Sequence, residues 1–546
     1  MKREVREVQK LREFGQRLVG SWRQGLGAPG MLLGWEILTV MFASVRWLSQ
    51  RPGWSVALVV GIVGLLIMAA GQLMQVARLY GGQTDYPDWP TSWRLVWQHL
   101  GLWLAVEVIV IILALPLGLW GLSSRLLVRL PMAANWVNFV SLHRRPVVVL
   151  AGVIYVLLAA FLLLWGPRHF RRLTPQLKQP GSVRQMLGGL AICALLTTCW
   201  WGISEGLVWV NVQYDRQGSR MGIQWLLTAS LTLVLVLFAV VSVLGALTLV
   251  WSWCGQPSVM GVAHHQGHWS VVGGVLCLLL VGGIVQQTQT QQPQFAKTVL
   301  ISHRGVDHAR GVQNTIAALR QVNREQPDYV EMDLHETKDH QWVVLHDENL
   351  RVLAGRNVTP HNLTLAQLER LVVHENGQST HLAGWSAYLR TAERLKQPLM
   401  VELKTTPQDS AGMARRFARQ YGQRLVRDHD VVHSLDYRVV SQLRQSVPRL
   451  KTGYILPFNW VAPQSVPADF YSFQQISASQ QFILAAHQMG GRAYIWTPDA
   501  RDKMTRMWAL GADGQITNEL RRLRSVTQQD RHRGAWAVLQ NFIYSY

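Results

Sequence analysis

Val299-Leu300-Ile301-Ser302-His303-Arg304-Gly305, then Glu331-Met332-Asp333, then Trp342-Val343-Val344-Leu345-His346-Asp347: three short apolar runs each deliver a histidine or a pair of acids. Residues i and i+2 of a strand point the same way, so Glu331 and Asp333 share a face. Two carboxylates on one face repel unless a cation lies between them, and oxygen ligands of this kind suit Ca²⁺ or Mg²⁺. Histidines beside such a cation make a natural general acid and general base. All these side chains fall at the same end of successive strand candidates. In a parallel (β/α) barrel that end is where active sites form.

Working outward, the same alternation continues to about residue 525. Strand-like runs recur at Leu399–Lys404, Val431–Ser434, Thr452–Leu456, Phe470–Ser472, Arg492–Trp496 and Gly514–Thr517. Amphipathic stretches lie between most of them, among them Thr315–Asn323, a short helix capped by Thr364, and Trp385–Leu395. The pattern predicts an α/β (β/α)₈ TIM-barrel domain over 297–525. Nine strand candidates are one too many for such a barrel, so one of them is expected to be a hairpin arm or irregular.

The run Leu399–Lys404 adds Glu402 and Lys404 on one face. Glu331, Asp333 and Glu402 then form a three-carboxylate site for a divalent metal. Arg304 and Lys404 add positive charge suited to a phosphate, and His303 and His346 flank it. This set suits phosphodiester cleavage, with cations holding charge on phosphoryl oxygens while histidines move protons. The sequence carries no Walker-type phosphate loop and no His-Glu-x-x-His or Cys-x-x-Cys zinc motif. Trp496, at a strand end, is a candidate to stack on the apolar part of a substrate.

The first 290 of the 546 residues have a different character, with long apolar runs and few acids. Runs near 54–76, 100–122, 147–166, 187–210, 224–251 and 269–286 are each long enough to cross a bilayer core, which takes about 20 residues. A weaker one, 31–48, contains Glu36 and Arg46. Tryptophans crowd the run ends, as headgroup-level indoles do. The expectation is an all-α polytopic membrane domain over 1–290 with six or seven helices. A Gln/Thr-rich tether, 286–294, follows it, and a basic and aromatic tail, 526–546, ends the chain. The net charge of +21 lies largely in loops beside apolar runs. It reads as topology signal and contact with a lipid bilayer, and nucleic acid is not an expected partner. The Lys/Arg distribution does not separate six spans from seven. Seven would place the catalytic domain outside the cell membrane, where the substrates expected of it lie.

Residues 299–520 resemble the glycerophosphodiester phosphodiesterase family. The landmarks are His303-Arg304-Gly305, Asn314-Thr315 with Ala317-Ala318-Leu319, Glu331-x-Asp333, Thr337-x-Asp339, His346-Asp347 with Leu350, Glu402-x-Lys404, Trp496-Thr497 and Gly511-Ala512-Asp513-Gly514-x-Ile516-Thr517. The front half resembles the family's membrane-anchored branch. The resemblance implies a barrel enzyme that hydrolyses glycerophosphodiesters to glycerol 3-phosphate and an alcohol. It places metal ligands at Glu331, Asp333 and Glu402, the acid/base pair at His303 and His346, and phosphate contacts at Arg304 and Lys404. Two departures stand out: the family's Glu-Asn-Thr reads Gln313-Asn314-Thr315, and its Ile-Thr-Asp reads Ile516-Thr517-Asn518. Both remove a negative charge near the barrel mouth. Alternatives are a lysophospholipase D-like activity on lipids in the leaflet, and a membrane transport or scaffold protein whose barrel only binds ligand.

Overall fold

Parallel strands rich in β-branched and aromatic residues close on themselves in the computed structural model. It describes residues 132–173, 183–215, 220–254, 281–286, 297–528 except 309 and 458–460, 535–543, and a few positions between 13 and 22. The expected spans at 31–48, 54–76 and 100–122 lie outside the described residues, as do Glu36, Arg46 and most of the tether.

Eight strands form the barrel: β1 (Val299–Ser302), β2 (Tyr329–Glu336), β7 (Leu399–Leu403), β8 (Val431–Ser434), β9 (Lys451–Leu456), β10 (Phe470–Gln474), β11 (Arg492–Trp496) and β12 (Gly514–Thr517). Each pairs in parallel with its neighbours, and β1 pairs with both β12 and β2, which closes the ring. The ninth candidate is the hairpin arm: β3 (Trp342–Val344) returns antiparallel along β2. His346 therefore reaches the mouth because the chain doubles back, and not because a parallel strand delivers it there. β6 (Ala383–Gly384) pairs with β3, and a separate hairpin joins β4 (Val372–Glu375) to β5 (Gln378–His381).

The barrel floor is apolar. Ile301, Met400, Val431, Phe470, Tyr494 and Ile516 point inward and pack together. Gly453 makes room for this plug: a Cβ there would lie 2.1 Å from the Phe470 ring. One step further along, the inward parity brings polar side chains on several strands, among them Glu402, His433 and Ser472, and the site stands on the floor.

Amphipathic helices coat the outside, except between β9 and β10. There the described residues form only the short turn Pro463–Ser465. The face left open is covered by helix Ala134–Leu142, from far upstream. Val137 packs with Val440, Tyr454, Leu456, Val461, Val466 and Tyr471. Asn138 donates to Asp436 Oδ1 at 2.9 Å and accepts from the Tyr437 N–H at 2.7 Å. The Tyr454 hydroxyl donates to Ser141 at 3.1 Å.

The helix that covers the barrel runs almost directly into helix Arg144–Leu173. Two more long helices follow, Val183–Asp215 and Arg220–Cys254. Three apolar stretches here, Arg144–Phe161, Gln185–Asp215 and Met221–Phe238, have the length and composition to cross a membrane. They fall on three of the runs expected from the sequence. The second and third helices lie side by side, tied by Trp200 Nε1 to the Val234 carbonyl at 3.1 Å and by Asn211 to Ser230 at 2.8 Å. The tail forms helix Ala535–Ile543, whose Trp536, Leu539 and Phe542 pack against Trp200, Val208, Leu227 and Leu231. Its Asn541 also accepts from Arg506, on barrel helix Arg501–Ala509, at 2.9 Å. The tail thus touches both the barrel and the long helices.

Candidate active site

Strand register assembles the mouth. Asp333 is level with Glu402, and Glu402 is level with His433, across the adjacent strands β2, β7 and β8. Glu331 sits one inward step below Asp333. Ligand atoms of Glu331, Glu402 and His433 all lie within 4.8 Å of one another. His433 is buried. Its Nδ1 is 2.9 Å from Ser472 Oγ, and its Nε2, 4.0 Å from Glu331 Oε1, has no hydrogen-bond partner. Burial holds this imidazole neutral, with its pKa lowered to about 3. A neutral imidazole with an unused nitrogen facing two carboxylates fits a divalent cation.

Charge balance in the layer is uneven. Burial and then the neighbouring Asp333 and Glu402 carboxylates push Glu331 well above the ordinary carboxylate range. Asp333 goes the other way: burial opposes its ionisation, but Lys404 and Arg304 outweigh it. Lys404 Nζ lies 3.2 Å from Asp333 and 3.1 Å from Glu402, and Arg304 Nε lies 3.6 Å from Asp333. Asn314 closes the remaining side, donating to Asp333 Oδ2 at 2.8 Å and accepting from its N–H at 3.1 Å. The three carboxylates predicted as ligands share one end of the barrel, with Asp333 engaged by two cations and His433 nearest the other two.

His303 and Arg304 follow β1 in a tight turn, Arg304 in the left-handed region at φ 54°. This conformation turns the Arg304 N–H onto Glu331 at 3.0 Å. The Arg304 guanidinium donates to Gln313 Oε1 at 2.5 Å. Gln313 in turn donates through its backbone and side-chain nitrogens to Glu375, at 2.8 and 2.7 Å.

His303 Nδ1 lies 2.8 Å from Asn518 Oδ1, and burial lowers its pKa to about 4. His346 Nδ1 lies 2.8 Å from Asp347, which it holds below the usual carboxylate range. The His346 carbonyl faces buried His335 Nε2 at 3.2 Å. Trp496 ends β11 half-buried, packed against the floor cluster.

Sequence reasoning missed His433, although it shares the inward parity of Val431, and it missed Glu375, which lies on a hairpin outside the barrel. Asn518 and Gln313 drew notice only as departures from a pattern.

A closed parallel barrel with acids, cations and histidines gathered at the strand ends defines a hydrolytic enzyme of the phosphodiester-cleaving kind. Residues 303–522 match the Glycerophosphoryl diester phosphodiesterase family, and this region is a catalytic domain of that family. A Bacillus subtilis protein named as a glycerophosphodiester phosphodiesterase, YhdW, is 24% identical over 230 residues, covering 40% of this chain and 93% of that one. Human lysophospholipase D GDPD1 is 43% identical over 68 residues, 12% of this chain and 21% of that one. A glycerophosphodiester phosphodiesterase structure from Parabacteroides distasonis aligns with a TM-score of 0.37 at 22% identity, covering 42% of this chain and 96% of that one.

Proposed function

We propose that this protein is a membrane-tethered, metal-dependent phosphodiesterase that hydrolyses glycerophosphodiesters to glycerol 3-phosphate and an alcohol, within glycerophospholipid or lipoteichoic acid metabolism. The observation that carries this reading is the meeting of Glu331, Glu402 and His433 beside Arg304 and Lys404, with His303 and His346 on the same barrel end. Glu331, Glu402 and His433 would hold the cation, with Asp333 as the third carboxylate beside them. Ca²⁺ and Mg²⁺ suit the oxygens, and the His433 nitrogen also admits Mn²⁺. A bound divalent cation supplies charge to the phosphoryl oxygens as they become more negative. Arg304 and Lys404 bind and orient the phosphate, and Trp496 meets the apolar part of the substrate.

The histidines move two protons. In the first step the glycerol 2-hydroxyl oxygen bonds to phosphorus and its proton passes to one imidazole. The bond from phosphorus to the alcohol oxygen breaks, and the alcohol leaves with a proton from the other. In the second step water adds to phosphorus, returning a proton to the second imidazole. The ring bond to the 2-oxygen breaks, and that oxygen takes back the proton held by the first.

The three long apolar helices support the membrane tether; of the two span counts the sequence allows, seven is the one that sets the catalytic domain outside the cell. The short match to a lysophospholipase D supports a second reading, with the same site acting on lysolipids in the leaflet.

The test uses the full chain in lipid nanodiscs with glycerophosphocholine and lysophosphatidylcholine, each with chelator, Ca²⁺, Mg²⁺ or Mn²⁺. Release of glycerol 3-phosphate, lost in chelator and restored by one metal, is expected. Turnover of lysophosphatidylcholine alone would favour the second reading. Calorimetric titration with the activating metal should show one site, weakened in His433→Leu by more than the roughly tenfold that loss of a ligand's outer partner costs. Equal metal affinity in that variant would remove His433 from the site.

A further inference from the structure

His303 and His346 reach the barrel mouth on different supports. His303 follows β1, which is paired on both sides within the ring. His346 follows β3, a three-residue arm that is not a ring strand. Among the described residues, the arm's final backbone bond to β2 runs from the Leu345 N–H to the Asp333 carbonyl at 3.0 Å. The bond from His346 Nδ1 to Asp347, at 2.8 Å, joins neighbours in sequence. It orients the ring but does not tie residue 346 to the barrel.

A side chain makes that tie. Glu331, Asp333 and His335 share the inward parity of β2, and His335 stands nearest the mouth. Its Nε2 lies 3.2 Å from the His346 carbonyl. A carbonyl can only accept, so Nε2 carries a proton and donates it. Burial lowers the pKa of the His335 ring to about 4, so the ring is neutral and Nδ1 is bare. Nδ1 is buried and has no hydrogen-bond partner among the described residues. An unsatisfied nitrogen at this depth costs stability that an apolar side chain would not. What a histidine adds here is the bond to residue 346. The ring is also backed edge-on by His361, with centroids 6.3 Å apart, and His361 Nε2 lies 2.9 Å from Thr406 Oγ1 on the loop after β7. The donor is therefore held from behind.

Resting on the phosphodiesterase reading above, we infer that His335 is a positioning residue: by donating to the His346 carbonyl it holds the His346 imidazole within reach of the phosphate. His335 touches no reacting atom and acts through His346 alone. A hairpin arm delivers a reacting group as firmly as a ring strand does because a ring strand reaches across to hold it.

The test compares two amides of different reach. The nitrogen of His335→Asn stands near the Nδ1 position and falls short of the carbonyl. His335→Gln carries the same amide to the Nε2 position. The full chain is assayed in lipid nanodiscs with the activating metal, on whichever of glycerophosphocholine and lysophosphatidylcholine the wild type hydrolyses. His335→Asn should lower kcat on the order of 10²-fold, with KM and calorimetric metal affinity close to wild type. His335→Gln should recover most of that loss. In a His346→Ala background no imidazole is left to position, so His335→Asn should change kcat by less than about twofold. Thermal unfolding of each variant sets the assay temperature, so that folded chains are compared. His335→Leu drops the donor and the unsatisfied nitrogen together. It should lose the same activity without melting lower, and it carries the test if His335→Asn does not fold.

An unchanged kcat in the Asn and Leu variants, or a Gln variant no better than Asn, would overturn the proposal. So would an equal loss on top of His346→Ala, which is what a merely structural role predicts. A wild-type chain inactive on both substrates would instead overturn the phosphodiesterase reading.

Discussion

Asn138 ties a helix from the front of the chain to the barrel, and its loss should be felt as instability of the catalytic domain. The side chain is 6% exposed and makes two bonds, to Asp436 Oδ1 at 2.9 Å and from the Tyr437 N–H at 2.7 Å. In Asn138→Ala, Asp436 keeps its bonds to Arg438, but the Tyr437 N–H is left without its acceptor in a buried seam. An orphaned buried donor plus one lost bond to a carboxylate costs roughly 2–4 kcal/mol. For a domain of this size, each kcal/mol lowers Tm by about 2–4 °C, so the expected drop is on the order of 5–15 °C. The assay is thermal unfolding of the full chain in detergent, followed by loss of diester hydrolysis after a heat pulse. Trp136→Ala is the control, since Trp136 is 56% exposed on the same helix and should change Tm by about a degree or two. A chain beginning at residue 297 loses the helix outright and bares the outer faces of Tyr454 and Leu456; it should melt lower still. If Asn138→Ala melts with the wild type, or Trp136→Ala falls as far, the helix is not part of the barrel's packing.

Two further outcomes follow from charges in the domain. Gln313→Glu sets a second carboxylate against Glu375 and removes a donor from the relay that ends on Arg304; KM for glycerophosphocholine should rise on the order of tenfold. Adding Glu375→Gln should return KM most of the way, and failure to do so would refute the relay. Asp430 accepts from the Leu399 N–H at 2.7 Å, and burial raises its pKa well above the usual value. A raised carboxyl contributes stability below its unfolded pKa and loses it as pH rises through the folded one. Asp430→Asn should therefore be more stable than wild type in urea at pH 8, with the advantage gone near pH 3; an equal difference at both would refute that sign.

The barrel was legible because its strands announce themselves locally. Short runs such as Val299–Ser302 and Leu399–Lys404 begin apolar on both faces, as strands covered by helices must, and turn polar at their ends, at Ser302 and at Glu402 and Lys404. The same local rule also showed that Glu331 and Asp333 share a face. It could not show what stands beside them, because neighbours across a sheet are set by register, and Asp333, Glu402 and His433 become level only through the pairings of β2 with β7 and β7 with β8. Parity alone could have singled out His433: it lies two residues after Val431 and so points inward with it. Helix Ala134–Leu142 carried no comparable signal. Its buried face holds Asn138 and Ser141 beside Val137, so it does not read as an apolar stripe, and its partners lie some three hundred residues downstream. The feature that raises the question is the missing element: between β9 and β10 the described residues form no α-helix, yet Tyr454 and Leu456 on the outer face of β9 need cover. A strand whose outward residues are large and apolar demands a partner, and where the local chain supplies none, the partner must come from elsewhere in the sequence or from another molecule. Here it comes from the segment that leads into the long apolar helix Arg144–Leu173, so the packing that completes the barrel also ties the barrel to that helix.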